Sequence, residues 1–304
     1  MSFQKKSKIL IMIIIFTCIL SILLFMIFFI FGDIVKQEFI YENKKISKII
    51  NGEKIPTIEF IKEDFENYSS IQDFIFYDGK NAFTQFTLQS PKASTIEEYI
   101  LLRNCILKNN CDFADNRIDF TNKKANSKNM SLKFSAYEPQ GNYVSKSCID
   151  TNLLHFKKGD ELWFSAYYYI EKGNPTTIAD FESSAMKWGP GPRLILLNNL
   201  SQIGLELKHA LKITYFQKKE LAIDFPKEKW VKISLHLKFS EKKDGIIQIW
   251  QDCQLIINET GKTLPKKNAI IDRMQVGITA TKLGTILYID DVLLSKNKIP
   301  ENFC

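Results

Sequence analysis

The sequence predicts an all-β sandwich, and three observations carry that prediction. From Ser131 onward, short runs rich in β-branched and aromatic residues follow one another with almost no helical spacing. Turn signals divide them: Gly159-Asp160, Gly189-Pro190-Gly191-Pro192, Asp244-Gly245, Asn258 to Gly261 and Leu283-Gly284. Several runs also alternate apolar and polar residues, which gives a strand one face for a core and one for water or a ligand. In Trp230–Phe239 the apolar set is Val231, Ile233, Leu235, Leu237 and Phe239, and the polar set is Lys232, Ser234, His236 and Lys238. No internal repeat is evident, which argues against a propeller or solenoid.

Taken in order, the chain opens with a cytoplasmic tail, residues 1–8, and a transmembrane anchor, residues 9–31. Ile9 to Phe31 carries no charge, and at 1.5 Å per residue it spans a hydrocarbon core of about 30 Å. The run is longer than a signal peptide's apolar region and ends without a small-residue cleavage pattern. Lys5, Lys6 and Lys8 precede it, so the positive-inside rule puts the N-terminus in the cytoplasm and the remainder outside, in the periplasm or at the cell surface. Residues 32–70 read as a lysine-rich stem, 71–298 as the sandwich and 299–304 as a tail. Within the sandwich, Phe74–Tyr77 and Ala82–Leu88 flank Asp78-Gly79, a strand–turn–strand signal. Ser94-Thr95-Ile96-Glu97 has the form of a capping box, opening a short helix from Thr95 to about Leu107.

The chain has 304 residues, 45% hydrophobic, 25% charged and 12% aromatic, proportions that exclude a disordered or collagen-like protein. Its charge is +7, from 41 basic and 34 acidic residues. Without the three lysines before the membrane segment, 38 basic residues face 34 acidic ones, or +4. That excess is too mild to imply a nucleic-acid partner. Only four of the basic residues are arginine: Arg103, Arg117, Arg193 and Arg273. Five cysteines lie beyond the membrane segment, namely Cys105, Cys111, Cys148, Cys253 and Cys304. An odd number leaves at least one thiol unpaired or intermolecular. Cys105 with Cys111, Cys148 with Cys253, and either of the latter with Cys304 are all open pairings. No C-x-x-C pair occurs and the three histidines are scattered, which disfavours a structural zinc site.

Three segments carry a resemblance. Phe225-Pro226-Lys227-Glu228-Lys229-Trp230-Val231 leads into a long strand. Asp244-Gly245-Ile246-Ile247-Gln248-Ile249-Trp250-Gln251-Asp252 forms a strand and hairpin, and Thr285-Ile286-Leu287-Tyr288-Ile289-Asp290-Asp291-Val292 a closing strand. Together they resemble concanavalin A-like jelly-roll domains of the polysaccharide-lyase and LamG-like type, over roughly residues 130–295. The family's hairpin glycine is Cys253 here. The Q-[IV]-H strand of alginate-lyase-like members is missing, and Tyr215-Phe216-Gln217-Lys218 is a loose echo of their Y-x-K-x-G strand. The resemblance implies a jelly-roll sandwich and a carbohydrate-active domain. Two readings follow: a polysaccharide lyase cleaving uronate chains by β-elimination, and a lectin-like or adhesion module that binds a glycan without turnover. A third is an envelope scaffold holding a protein partner.

A uronate lyase neutralises a carboxylate, removes the C5 proton and protonates the leaving oxygen. Tyr215 and His236 are the candidates for proton transfer, and Arg193 and Gln217 for the carboxylate. Trp188, Glu182 and Lys238 are candidate substrate contacts, Trp188 by stacking on a sugar ring. Asp180 and Glu182, at i and i+2 on a strand, also suit a glycosidase pair or Ca²⁺ oxygen ligands. Asp290 and Asp180 are the candidate metal ligands, for a structural Ca²⁺; no cofactor is required for elimination. Ser/His/Asp, P-loop and dinucleotide motifs are absent.

Overall fold

A computed structural model describes residues 57–75, 82–183, 191–197, 201–208, 213–301 and 303–304. The predicted anchor 9–31 and Trp188 lie outside the described residues. Among the described residues, no helix is long and apolar enough to cross a membrane.

Among the described residues, fifteen strands form two antiparallel sheets, the all-β sandwich that the sequence predicts. In chain order they are β1 (Phe60–Glu63), β2 (Gln85–Thr87), β3 (Arg117–Thr121), β4 (Ser131–Ala136), β5 (Ser145–Thr151), β6 (Glu161–Lys172), β7 (Thr177–Glu182) and β8 (Pro192–Leu197). Then come β9 (Gln202–Leu207), β10 (Ile213–Tyr215), β11 (Val231–Lys238), β12 (Gly245–Gln251), β13 (Gln254–Gly261), β14 (Arg273–Thr281) and β15 (Thr285–Lys296). Two short helices, α1 (Ile71–Ile75) and α2 (Ile96–Leu107), precede most of them. One sheet has eight strands, ordered β13-β12-β11-β6-β15-β4-β3, with β1 on β15. The other has seven, ordered β10-β9-β8-β7-β14-β5-β2. The inner faces meet in one apolar core. Phe164 of β6 sets its ring edge-on to Phe181 of β7 at 5.4 Å, and Leu235, Ile249, Val276 and Ile278 are fully buried around them.

Alternation decides the faces. On β11 the odd residues Val231 to Leu237 are buried in the core, as predicted, and His236 and Lys238 lie on the opposite face. The same rule on the seven-stranded sheet turns Ala179, Phe181, Met274, Val276, Leu205 and Leu207 inward, and their neighbours outward.

Three elements differ from the sequence expectation. The end of the predicted stem is part of the sandwich: β1 pairs with Val292–Ser295 of β15, and Ile61 and Phe65 are buried. Four residues with one inward side chain give too little alternation to mark a strand. Phe74 and Ile75, expected in a hairpin arm, are helical in α1. The Ser70 hydroxyl accepts the Asp73 amide at the start of that turn, and Phe74 packs on Phe65 and Phe83, so local capping and burial outweigh aromatic β-propensity. The capping box of α2 is Thr95 with Glu98, one residue later than the sequence spacing suggests. The Glu98 amide donates to Thr95 Oγ1 at 3.2 Å, and the Thr95 amide to Glu98 Oε2 at 3.0 Å. A Cys105–Cys111 disulfide closes the end of this helix.

Candidate functional site

The outer face of the seven-stranded sheet carries a polar row that crosses every strand. Cross-strand partners run Thr214 on β10, Glu206 on β9, Arg193 on β8, Asp180 on β7, Gln275 on β14, Asp150 on β5 and Gln85 on β2. A sheet face exposed only to water would not need its polar groups buried, yet Asp150, Asp180 and Gln275 are. Glu182 and Arg273 form the adjacent cross-strand pair, and Lys146 shares the outward parity of Asp150 on β5.

Ion pairs and hydrogen bonds knit this row together. Asp150 Oδ2 accepts from Arg273 Nη2 at 2.7 Å and from Thr87 Oγ1 at 2.9 Å, and its Oδ1 accepts from Gln275 Nε2 at 3.0 Å. Arg193 Nε lies 3.2 Å from Glu206 Oε2 and 3.8 Å from Asp180 Oδ1. Helix α2 covers the β2 end, where Arg103 Nη1 donates to Gln85 Oε1 at 2.9 Å. Tyr99, one turn earlier on α2, is half-buried. Burial pushes its hydroxyl above the usual phenol range, although the charges of Lys146, Arg273 and Arg103 pull it down. Burial likewise raises the Glu182 carboxyl, reinforced by Asp180 beside it. Lys208, past the end of β9, is lowered by burial and by Arg193.

Four buried polar atoms on this face have no hydrogen-bond partner among the described residues: Asp180 Oδ1, Arg193 Nε, Arg273 Nε and Gln275 Oε1. An unmet buried donor or acceptor costs about 1–3 kcal/mol.

The predicted site residues do not all converge. Arg193, Asp180 and Glu182 belong to the polar face. Tyr215 is turned the other way, because its register partner is the core residue Leu205. Its hydroxyl donates to Thr260 O at 3.2 Å, bridging to β13 of the other sheet. Gly261 leaves the space for that ring, since a Cβ there would sit 2.1 Å from the Tyr215 oxygen. Gln217 is a buried brace: its amide donates to Ile203 O and Ile223 O, each at 3.2 Å, and accepts the Ile223 amide at 2.8 Å. His236 and Lys238 lie on the eight-stranded sheet, facing away from the polar row. The His236 ring stacks on Trp163 at 3.6 Å and contacts Gln248 and Glu161 through its two nitrogens at 2.8 and 3.2 Å. Lys238 stands opposite Glu161 at the exposed end of β11.

Asp290, the other candidate metal ligand, is also on the eight-stranded sheet. Its carboxylate accepts three backbone amides, from Asn126 at 2.8 Å, Ser127 at 3.1 Å and Asp291 at 2.8 Å. It pins the loop after β3 at a bulge where Asp291 takes φ +49°. Asp180 and Asp290 thus sit on different sheets, each with partners of its own. Among the described residues no group of three or more His, Cys, Asp or Glu side chains is gathered to hold a metal ion.

Sequence reasoning missed Asp150, Gln275, Arg273, Glu206, Arg103, Lys146 and Tyr99. One signal was available. Arginine is rare in this lysine-rich chain, and three of its four arginines, Arg103, Arg193 and Arg273, meet on this face. The fourth, Arg117, is on β3 of the other sheet beside Asp119 at 3.7 Å.

Two antiparallel sheets with few helices among the described residues fit a jelly roll. The polysaccharide lyase family model matches residues 69–292, and the chain belongs to that family. Among solved structures, the chain is similar to the endo-beta-1,4-glucuronan lyase from the fungus Trichoderma reesei, at 14% identity and a TM-score of 0.48 over 60% of this chain and 87% of that one. It is also similar to alginate lyase Aly36B, at 8% identity and 0.41 over 81% and 100%. A third is the marine PL-14 alginate lyase from Aplysia kurodai, at 13% identity and 0.37 over 70% and 98%. No curated protein sequence matches the chain.

Proposed function

We propose that this polysaccharide lyase cleaves uronate-containing chains by β-elimination on the outer face of its seven-stranded sheet. The observation that carries the reading is that three of the four arginines reach one polar face: Arg193 in its row, Arg273 in the adjacent pair and Arg103 from helix α2. Arginine presents a planar fork that matches a carboxylate, which lysine does not. Arg193 and Arg273 take the uronate carboxylate. Neutralising it acidifies the C5 hydrogen. Loss of that proton forms the C4–C5 double bond as the C4–O bond breaks, and the leaving oxygen gains a proton. Lys146, through its free amine, accepts the C5 proton, and Tyr99 gives a proton to the leaving oxygen. Burial keeps the Tyr99 hydroxyl neutral, the form that donates. Tyr215, His236 and Gln217 take no part, because the fold commits them to an edge bridge, a tryptophan stack and a backbone brace.

The location belongs to the same proposal. Residues 9–31 anchor the chain, and the sandwich lies outside the cytoplasmic membrane, facing extracellular or periplasmic glycan. The test of function is ultraviolet absorbance of the unsaturated product when the full chain meets a panel of uronate polysaccharides. A rise on one or more of them supports elimination. Binding without any rise across the panel replaces this reading with a lectin-like one.

A further inference from the structure

The outer face of the eight-stranded sheet bears a second feature, unconnected with elimination. Strands β12 and β13 join through a two-residue turn, Asp252-Cys253, between the paired Gln251 and Gln254. Both residues adopt positive φ, +46° and +67°. Such turns favour Asn-Gly or Asp-Gly, and a cysteine there is held at a backbone conformation that disfavours its Cβ. The turn is fixed beside β11: the Asp252 amide donates to Lys232 O, and the Lys232 amide to Asp252 Oδ1, each at 2.9 Å. Against this hairpin lies the segment Phe303–Cys304. The Phe303 ring is buried edge-on to Trp163 at 5.1 Å and Trp250 at 5.4 Å, and its carbonyl accepts from Ser234 Oγ at 2.9 Å. That seating places the Cys304 thiol beside Cys253. Both residues are exposed to solvent and oxidant, whereas Cys148 is buried and Cys105 is bonded to Cys111.

We propose that Cys253 and Cys304 form a disulfide that fastens the Phe303 segment across the Trp163–Trp250 face. The oxidant is a small-molecule disulfide such as oxidised glutathione. The Cys253 thiolate attacks one of its sulfurs and expels a glutathione thiolate, leaving a mixed disulfide. The Cys304 thiolate then attacks the Cys253 sulfur and expels the second glutathione. Two protein thiols lose two protons and two electrons, and two glutathione thiols are formed. Burial and the neighbouring Cys253 push the Cys304 thiol up to about 11. The bond also accounts for the odd cysteine count beyond the predicted membrane segment, leaving only the inaccessible Cys148 single.

The test is peptide mass spectrometry of the full chain, equilibrated with oxidised glutathione, alkylated without reduction and digested. The expected result is a Cys253–Cys304 cross-linked peptide, lighter by two hydrogens than its separate thiols, with Cys148 unmodified. In C304S the cross-link is lost and Cys253 carries glutathione instead. Two outcomes overturn the proposal: both thiols alkylated or separately glutathionylated in the native protein, or either one linked to a different cysteine. Neither outcome bears on elimination chemistry, which is read on a different sheet.

Discussion

Asp150 has no exposed surface, and its charge is held by Arg273, Gln275 and Thr87. Removing one partner of a buried pair leaves an uncompensated charge, at about 3–5 kcal/mol. R273A should therefore lower the urea midpoint by a stability loss of that order, and the double variant R273A/D150N should recover part of it. Equal losses in the single and double variants would show that Asp150 is not the group left stranded. Glu63 gives a pH signature. Burial raises its carboxyl from an ordinary 4.5 to about 7, against the pull of the Phe65 amide that donates to it. The folded chain thus holds this proton more tightly than the unfolded one. At pH 4 both states carry it; between about 4.5 and 7 the unfolded chain sheds it first, and stability falls as pH rises. E63Q should match the native urea midpoint at pH 4 and exceed it at pH 7. Parallel pH profiles for the two proteins would refute the assignment.

Among the elements, α2 matters most to the site, since it carries Tyr99 and Arg103 over the β2 edge. Its N-terminus is held by the Thr95–Glu98 box. T95A should cost about 1 kcal/mol and lower turnover by more than this stability loss explains, because the helix bears the proton-transfer residue. Turnover unchanged at full folding would mean that α2 is only a cover. The elements also show what was legible beforehand. Strand β11 was readable because an inner face of Val, Ile and Leu alternates with polar residues, and β6, β14 and β15 because they are dense in aromatic and β-forming residues between turn signals. Strand β5 was not: its outward Lys146, Cys148 and Asp150 alternate with Ser145, Ser147 and Ile149, so half of its inner face is serine. Strand β7 is buried on both faces and shows no alternation. The site was partly legible. Arg193, Asp180 and Glu182 were chosen on chemistry and are neighbours in space. Tyr215 was chosen equally well on chemistry but lies one register step from the required parity. Parity against a partner strand is a property of pairing, and no local pattern encodes it.

At the scale of the whole molecule, the two outer faces of the sandwich have different chemistry. The seven-stranded sheet presents buried arginine, carboxylate and amide groups with unmet hydrogen-bonding atoms. The eight-stranded sheet presents an aromatic surface, Trp163, His236 and Trp250, already covered by Phe303. The first offers Arg193 and Arg273 to an anionic sugar, which makes the assignment of faces the central claim. It is tested most directly by following unsaturated-product absorbance on a cleavable uronate polysaccharide with native protein, Y99F, Y215F and H236A, each confirmed folded. The account predicts that Y99F loses about 10²-fold or more of the rate, while Y215F and H236A stay near native activity. Full activity in Y99F with loss in H236A would contradict it and place the chemistry on the opposite sheet.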